Sequence, residues 1–265
     1  SIRVVALAKE NGMFFSIADI FQNPTIEQLV EIKRKPTEKH EIKEFELVKA
    51  EDLQKMPKYV EDAYPLSMLQ SGMIFHSEYN ESESIYYDVV TYRINGVLNI
   101  EYLQETINRL IDNNEILRTG FDLGSFSEPL QLVYKKAQCK INYEDLSHMS
   151  ESETQKTFKE WINLEQKKKF DLKKAPLMRV SVHKLNKDEF QLTFLNHHAI
   201  LDGWSVATMV TRVLQHYDSL VSGNHWKPEK PKLKFREYIA QEKRAINDHS
   251  SMQFWREYLE DKDIE

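Results

Sequence analysis

The chain has 265 residues, a formal net charge of −6 and one cysteine, and 41% of its residues are hydrophobic. This composition supplies a packed core and suits one large domain or two small ones. An acidic pI near 5.9 argues against a nucleic-acid protein, whose footprint is basic. No run approaches the roughly 20 apolar residues of a membrane span, no signal-peptide pattern opens the chain, and the lone Cys139 has no internal disulfide partner, so a cytoplasmic setting is expected.

Residues 1–34 read as three short helices. In "IRVVALAKENG" Val4, Val5, Leu7 and Ala8 share one side and Gly12 marks a stop. Ser16 caps "SIADIF", with Asp19 at the third helical position. Thr25 and Gln28 form a capping-box pattern before Ile26, Leu29, Val30 and Ile32, which are expected to be buried. The charged stretch that follows reads as a linker, placed at 35–43.

From residue 44 helices and strands alternate to the end. A helix is expected near Ser67, packing through Met68, Ile74 and Phe75, and "IYYDVVTYRING" is β-branched and aromatic, hence strand. The next helix, "NIEYLQETINRLIDNN", places Leu103, Ile107, Leu110 and Ile111 on one face. "EILRTGF", "LQLVYK" and "CKINYED" read as strands or strand ends, and "SESETQKTFKEWINLEQKKKF" as helix. The lysines at 167–169 and 173–174 read as a solvated face. "LMRVSVHKL" and "FQLTFLNHH" form a hairpin around "NKDE". The following helix carries Val206, Met209, Val210, Val213, Leu214 and Tyr217 at spacings of three and four, with Ser205 as its expected cap. Two more helices follow, in "KFREYIAQEKRAI" and "MQFWREYL". The pattern implies the α/β class, helices packed on a mixed sheet.

The segment "NHHAILDGWS", residues 196–205, carries the chemistry. Side chains alternate along a strand, so His197 and His198 are expected on opposite faces and do not converge on one metal ion. No cysteine or further histidine stands nearby in sequence to complete a metal site. Gly203 allows a tight turn beside the histidine, and Asp202 in such a turn accepts from backbone or from an arginine. A histidine at a strand end beside a braced loop is a positioned base.

"HHAILDGWS" resembles the HHxxxDG signature of condensation domains in nonribosomal peptide synthetases. "VEDAYPLSMLQSGMIFH" is similar to the family's opening motif, "NEILRTGF" to its second, and "FDLKKAPLMRV" to the segment before the histidine strand. "KFREYI" and "FWREYL" resemble the helices that follow. "FFSIADIFQNPTIEQLVEI" is similar to the last helices of a peptidyl carrier domain. The resemblance therefore implies a carrier segment over 1–34, a linker over 35–43, and over 44–265 the N-terminal lobe of a condensation domain: a chloramphenicol-acetyltransferase-like α/β sandwich, half of a V-shaped two-lobe fold.

The implied reaction joins a donor aminoacyl or peptidyl thioester to the amine of an acceptor aminoacyl thioester. Both ride on phosphopantetheine arms of carriers, with adenylation domains as further partners in an antibiotic-type assembly line; no nucleic acid, membrane or metal is implied. The candidate catalytic residues are His197, His198, Asp202 and Gly203. Within this set His198 takes a proton or orients the amine, His197 is structural, and Gly203 is where backbone meets a developing oxyanion. In the family the aspartate braces the loop through an arginine; Arg118 is the first candidate partner and Arg179 the second. Ser1 in "SI" resembles the phosphopantetheine-bearing serine, although Gly12 stands about three residues too close for the usual helix, close to one turn.

Asn113 and Asn114 stand where the family has Arg-His, and the later family motifs are missing, so the isolated chain is expected not to condense substrates. Epimerisation or ester formation by a related acyltransferase, or a lobe that only docks carriers, are the alternatives.

Overall fold

The structure is a computed structural model that describes residues 2–32, 41–79, 85–224 and 233–260. The chain divides into two compact units, residues 1–41 and 42–265. Ser1 and most of the expected linker lie outside the described residues.

The first unit holds α1 (Ile2–Glu10), α2 (Ile17–Gln22) and α3 (Ile26–Glu31). After α1 the chain turns at Gly12, whose φ of +77° favours a residue without Cβ. Ser16 with Asp19 and Thr25 with Gln28 both form complete capping boxes, as their spacing predicts. The expected burial does not hold. Ile26 is 81% and Val30 69% exposed, and Val4 and Leu7 are half exposed. Helices of nine, six and six residues present too few turns to cover one another's apolar stripes.

The second unit begins with α4 (Ala50–Leu53), β1 (Val60–Pro65), α5 (Met68–Tyr79), β2 (Tyr87–Asn95) and α6 (Ile100–Asn113). A single 3-10 turn (Glu115–Arg118), β3 (Thr119–Asp122), β4 (Leu130–Tyr134), β5 (Asn142–Asp145) and α7 (Glu151–Lys167) follow. β6 (Met178–Asn186), β7 (Glu189–His197), α8 (Gly203–Val221), α9 (Phe235–Ile246) and α10 (His249–Leu259) complete it. Among the described residues no helix is long and apolar enough to cross a membrane.

Two sheets form. The larger has strand order β2-β7-β6-β5 and the smaller β1-β4-β3. β6 and β7 are the expected hairpin, and β2 pairs antiparallel with β7, from Tyr87 opposite His197 to Asn95 opposite Glu189. β5 runs parallel to β6, with α7 as the crossover, so the larger sheet is mixed.

Strand alternation sets the layers. Val180 and Val182 of β6 and Phe190, Leu192 and Phe194 of β7 join the main core with Leu103, Ile107, Leu110 and Ile111 of α6 and Val206, Met209, Val210 and Val213 of α8. On the opposite face His183 of β6 packs its ring 4.4 Å from Trp161 of α7. The expected amphipathic stripes of α6 and α8 are thus the buried ones. On α5 only Ile74 behaves as expected; Met68 is 69% and Phe75 63% exposed. Phe75 instead stacks on Tyr79 one turn along its own helix.

Two features hold the smaller sheet in place. In α9, Arg236 donates from Nη1 to Asp62 of β1 at 2.7 Å and from Nε to the Ile42 carbonyl at 2.8 Å, all buried. On β3, Phe121 N–H donates to the Leu172 carbonyl at 2.6 Å. That approach requires Gly120, because a Cβ there would meet the Lys173 carbonyl oxygen at 3.0 Å.

Candidate functional site

The site is built where β7 stops. His197 is its last residue, and the chain turns through 198–200 before α8 starts at Gly203. Two buried glutamines anchor this turn. Gln70 of α5 donates to the Ala199 carbonyl at 3.1 Å, and Gln131 of β4 donates to the Gln70 side chain at 3.0 Å.

His197 is fully buried. Its Nδ1 accepts the Ala199 N–H at 3.1 Å, which places the ring proton on Nε2, 3.3 Å from Ser77 Oγ on α5. The ring packs edge-on against Tyr87 at 5.4 Å. Burial, with the neighbouring His198 adding to it, pushes its pKa down to about 4. It is a neutral, fully engaged side chain at physiological pH.

His198 points elsewhere, as the alternation predicts. Its backbone N–H donates to the Tyr86 carbonyl at 2.7 Å. Its Nδ1 lies 2.5 Å from Oδ2 of Asp88 on β2, and about a third of the imidazole side chain is exposed. Tyr86 itself has φ +68°, a left-handed conformation that is strained for a bulky residue, immediately before β2.

Asp202 is the N-cap of α8. Its carboxylate accepts the Ser205 N–H at 2.7 Å, and that hydrogen bonding holds its pKa below the usual carboxylate range. This corrects two expectations. Ser205 is not the cap but the third helical residue, the one that donates to it. Neither Arg118 nor Arg179 braces the aspartate. Arg118 is buried, with its guanidinium on Glu61 at 2.7 Å, the Ile111 carbonyl at 3.2 Å and the Tyr134 carbonyl. Arg179 lies opposite Leu195, on the face away from the main core. There it donates to the carbonyls of Glu165 and Lys168 at 3.0 and 2.8 Å and lies 4.3 Å over the Phe170 ring. The physical reason is local: a short carboxylate at a helix start satisfies an orphan backbone N–H without reaching across the fold.

Gly203 opens α8, so its N–H has no acceptor within the helix and forms part of the positive end of the helix dipole. A Cβ at Gly203 would meet nothing within 4 Å, so close packing does not explain the glycine. Trp204 is 83% exposed. It borders a half-open cavity of about 660 Å³ with Leu201, Met209, Arg118, Lys234 and Phe235; His198 does not line it. Among the described residues no cluster of His, Cys, Asp and Glu could hold a metal ion.

The structure thus places His198 in the turn after β7 and Asp202 and Gly203 at the start of α8, turns His197 inward, and engages both arginines with partners other than Asp202. It adds Asp88, in sequence one polar residue within the strand run "YYDVVTY". The available signal was that aspartate is disfavoured in a strand and so marks a special contact.

The condensation-domain family matches residues 60–264. AMB antimetabolite synthetase AmbE of Pseudomonas aeruginosa is 31% identical over 270 residues, covering 97% of this chain and 13% of that protein. Surfactin synthase subunit 3 of Bacillus subtilis is 34% identical over 207 residues, covering 76% of this chain and 16% of that protein. Among solved structures, the starter condensation domain of rhizomide synthetase RzmA superposes with a TM-score of 0.65 at 17% identity, covering 77% of this chain and 52% of that one. The first condensation domain of the CDA synthetase gives 0.64 at 16% identity, covering 76% and 51%. These two show a shared fold. The chain spans about half of each solved domain and a small fraction of each synthetase.

Proposed function

The chain belongs to the condensation-domain family of nonribosomal peptide synthetases, and on that premise we propose that it contributes His198 to amide-bond formation between two carrier-borne thioesters. The carrying observation is the placement of His198: a partly exposed imidazole at a strand end, fixed through both its backbone N–H and its Nδ1.

The acceptor amine attacks the donor thioester carbon, a C–N bond forms, and the C–S bond breaks. A free α-amino group has a pKa of about 8, so a useful fraction is already neutral at pH 7. The chemical burden on the protein is the proton that nitrogen loses on addition. An imidazole within about 3 Å takes it or orients the amine, and the leaving thiolate receives a proton in return. His197, buried and neutral, supports the turn. Asp202 acts by starting α8, and the Gly203 N–H is a donor available to the oxyanion. The phosphopantetheine arms belong to the carriers and supply the thioester linkage.

Residues 1–34 are proposed as the C-terminal part of a peptidyl carrier domain, 35–43 as linker and 44–265 as the first lobe of the condensation domain. The two capping boxes of α2 and α3 and the reach of the AmbE similarity across 97% of the chain support this division. Mass spectrometry of the N-terminal peptide for a phosphopantetheine adduct decides whether Ser1 is the carrier serine.

The reaction class is tested in the full synthetase that contains this chain, with both carriers loaded. Amide formation moves the donor acyl mass onto the downstream carrier. Inversion of the donor stereocentre with no mass transfer would instead assign an epimerase.

A further inference from the structure

Asp88 is held by β2 directly opposite Asn196, one strand over from the histidine turn. His198 is fastened to β2 at two points on either side of Tyr87. Its backbone N–H donates to the Tyr86 carbonyl, and its ring Nδ1 meets Asp88 Oδ2 at 2.5 Å. A carboxylate is an acceptor only, so a contact this short requires the hydrogen on Nδ1. Among the described residues no lysine or arginine pairs with Asp88, and its opposite neighbour Asn196 is uncharged, so no cation competes with the ring. Two further groups are near enough to sense the imidazole. Asp202, at the start of α8, is engaged with the Ser205 N–H; His197, on the same strand, is neutral and turned toward Ser77.

We propose that Asp88 is a positioning residue: its carboxylate fixes the His198 imidazole in the tautomer protonated on Nδ1, so that Nε2 is the basic nitrogen offered to the reacting amine. This rests on the role given to His198 above. In the step, the amine nitrogen forms the C–N bond and its proton passes to Nε2. The ring becomes an imidazolium paired with Asp88, the C–S bond breaks, and the Nε2 proton goes to the leaving thiolate. Throughout, the Nδ1 hydrogen stays on the Asp88 bond. A free imidazole prefers the other tautomer, whose Nε2 already carries a hydrogen and accepts no proton. The aspartate therefore does more than hold the ring still: it selects which nitrogen can work.

The tautomer is read directly by ¹⁵N NMR of the histidine-labelled chain at a pH where the ring is neutral, with the His198 signals identified by their loss in His198→Gln. The expected result is a protonated Nδ1 and a bare Nε2 in the wild type, and a shift of the hydrogen to Nε2 in Asp88→Ala while the other histidine signals stay in place. A wild-type ring protonated on Nε2, or a tautomer unmoved by Asp88→Ala, overturns the proposal.

A second arm measures single-turnover condensation in the full synthetase. Asp88→Ala is expected to slow it about 10- to 100-fold, the scale of losing a partner that orients a functional histidine. Asp88→Asn is expected to be slowed at least as much, because its amide N–H can donate to Nδ1 and hold the hydrogen on Nε2. An unchanged rate in Asp88→Ala, or a wild-type rate in Asp88→Asn, contradicts the positioning role. If His198→Ala itself condenses normally, the reaction assigned to His198 fails, while the tautomer assignment still stands or falls on the spectrum.

Discussion

His197 and His198 are adjacent, yet their surroundings divide them. One ring is sealed between α5 and Tyr87 with both nitrogens engaged, and the other reaches out to Asp88 with part of its surface in solvent. The sealed ring has a measurable consequence. Its pKa is lowered to about 4 from the ordinary 6.5, so between those values the unfolded chain binds a proton that the folded chain does not. Stability therefore rises with pH across this window and is lost as pH falls through it, by up to about 3 kcal/mol. Burial also lowers the pKa of His183 and His216, which adds slope of the same sign. The contribution of His197 is isolated by comparison: urea midpoints of His197→Asn are expected to fall less steeply between pH 6.5 and 4 than those of the wild type. Parallel slopes would show that the ring is not buried neutral. At this scale the sequence was legible where residues are neighbours. The alternation of the two histidines follows from local geometry, whereas the tight turn expected at Gly203 falls at residues 198–200 and Gly203 begins α8. Asp88, which lies 110 positions from His198, required the pairing of β2 with β7, and no local pattern reports that. The missing arginine brace has the same origin: the spacing D-G-W-S reads equally as a helix start, and the nearer partner wins.

Helices were legible from period and caps. α6 and α8 carry long stripes at helical spacing, and both bury them. The exposed faces of α3 and α5 show the limit: period locates an apolar stripe but not the layer that covers it. The 3-10 turn at Glu115–Arg118 was also hidden, because four residues of "EILR" suit a strand as well as a tight turn. Some joints between elements depend on charge that sequence cannot pair. Arg236 of α9 and Asp62 of β1 are 174 positions apart and both buried; the second Asp62 oxygen accepts the N–H groups of Phe45 and Ala63. Removing the arginine leaves a buried carboxylate without its cation, which costs about 3 to 5 kcal/mol. Arg236→Met is expected to lower unfolding stability by that amount in urea titration, and adding Asp62→Asn to recover much of it. Equal stability of Arg236→Met and wild type would mean that α9 is not fastened to β1 through this pair.

At the scale of the molecule, class and chemistry came from one loop. The HHxxxDG resemblance and the alternating elements implied a mixed α/β fold of the condensation type, and the family match over residues 60–264 with the shared fold of solved condensation domains agrees with that fold. The chain spans 13% of AmbE and 16% of the surfactin subunit, so the proposed reaction is tested in a complete synthetase. The proposed role rests on the turn after β7 presenting the His198 imidazole to the reacting amine. The direct test is the single-turnover rate of donor transfer, with both carriers loaded, in wild-type synthetase and in His198→Ala. The rate is expected to fall about 100-fold or more, the range of positioned acid–base groups, with carrier loading unchanged. A variant that transfers donor at the wild-type rate contradicts the assignment of His198 as the working base.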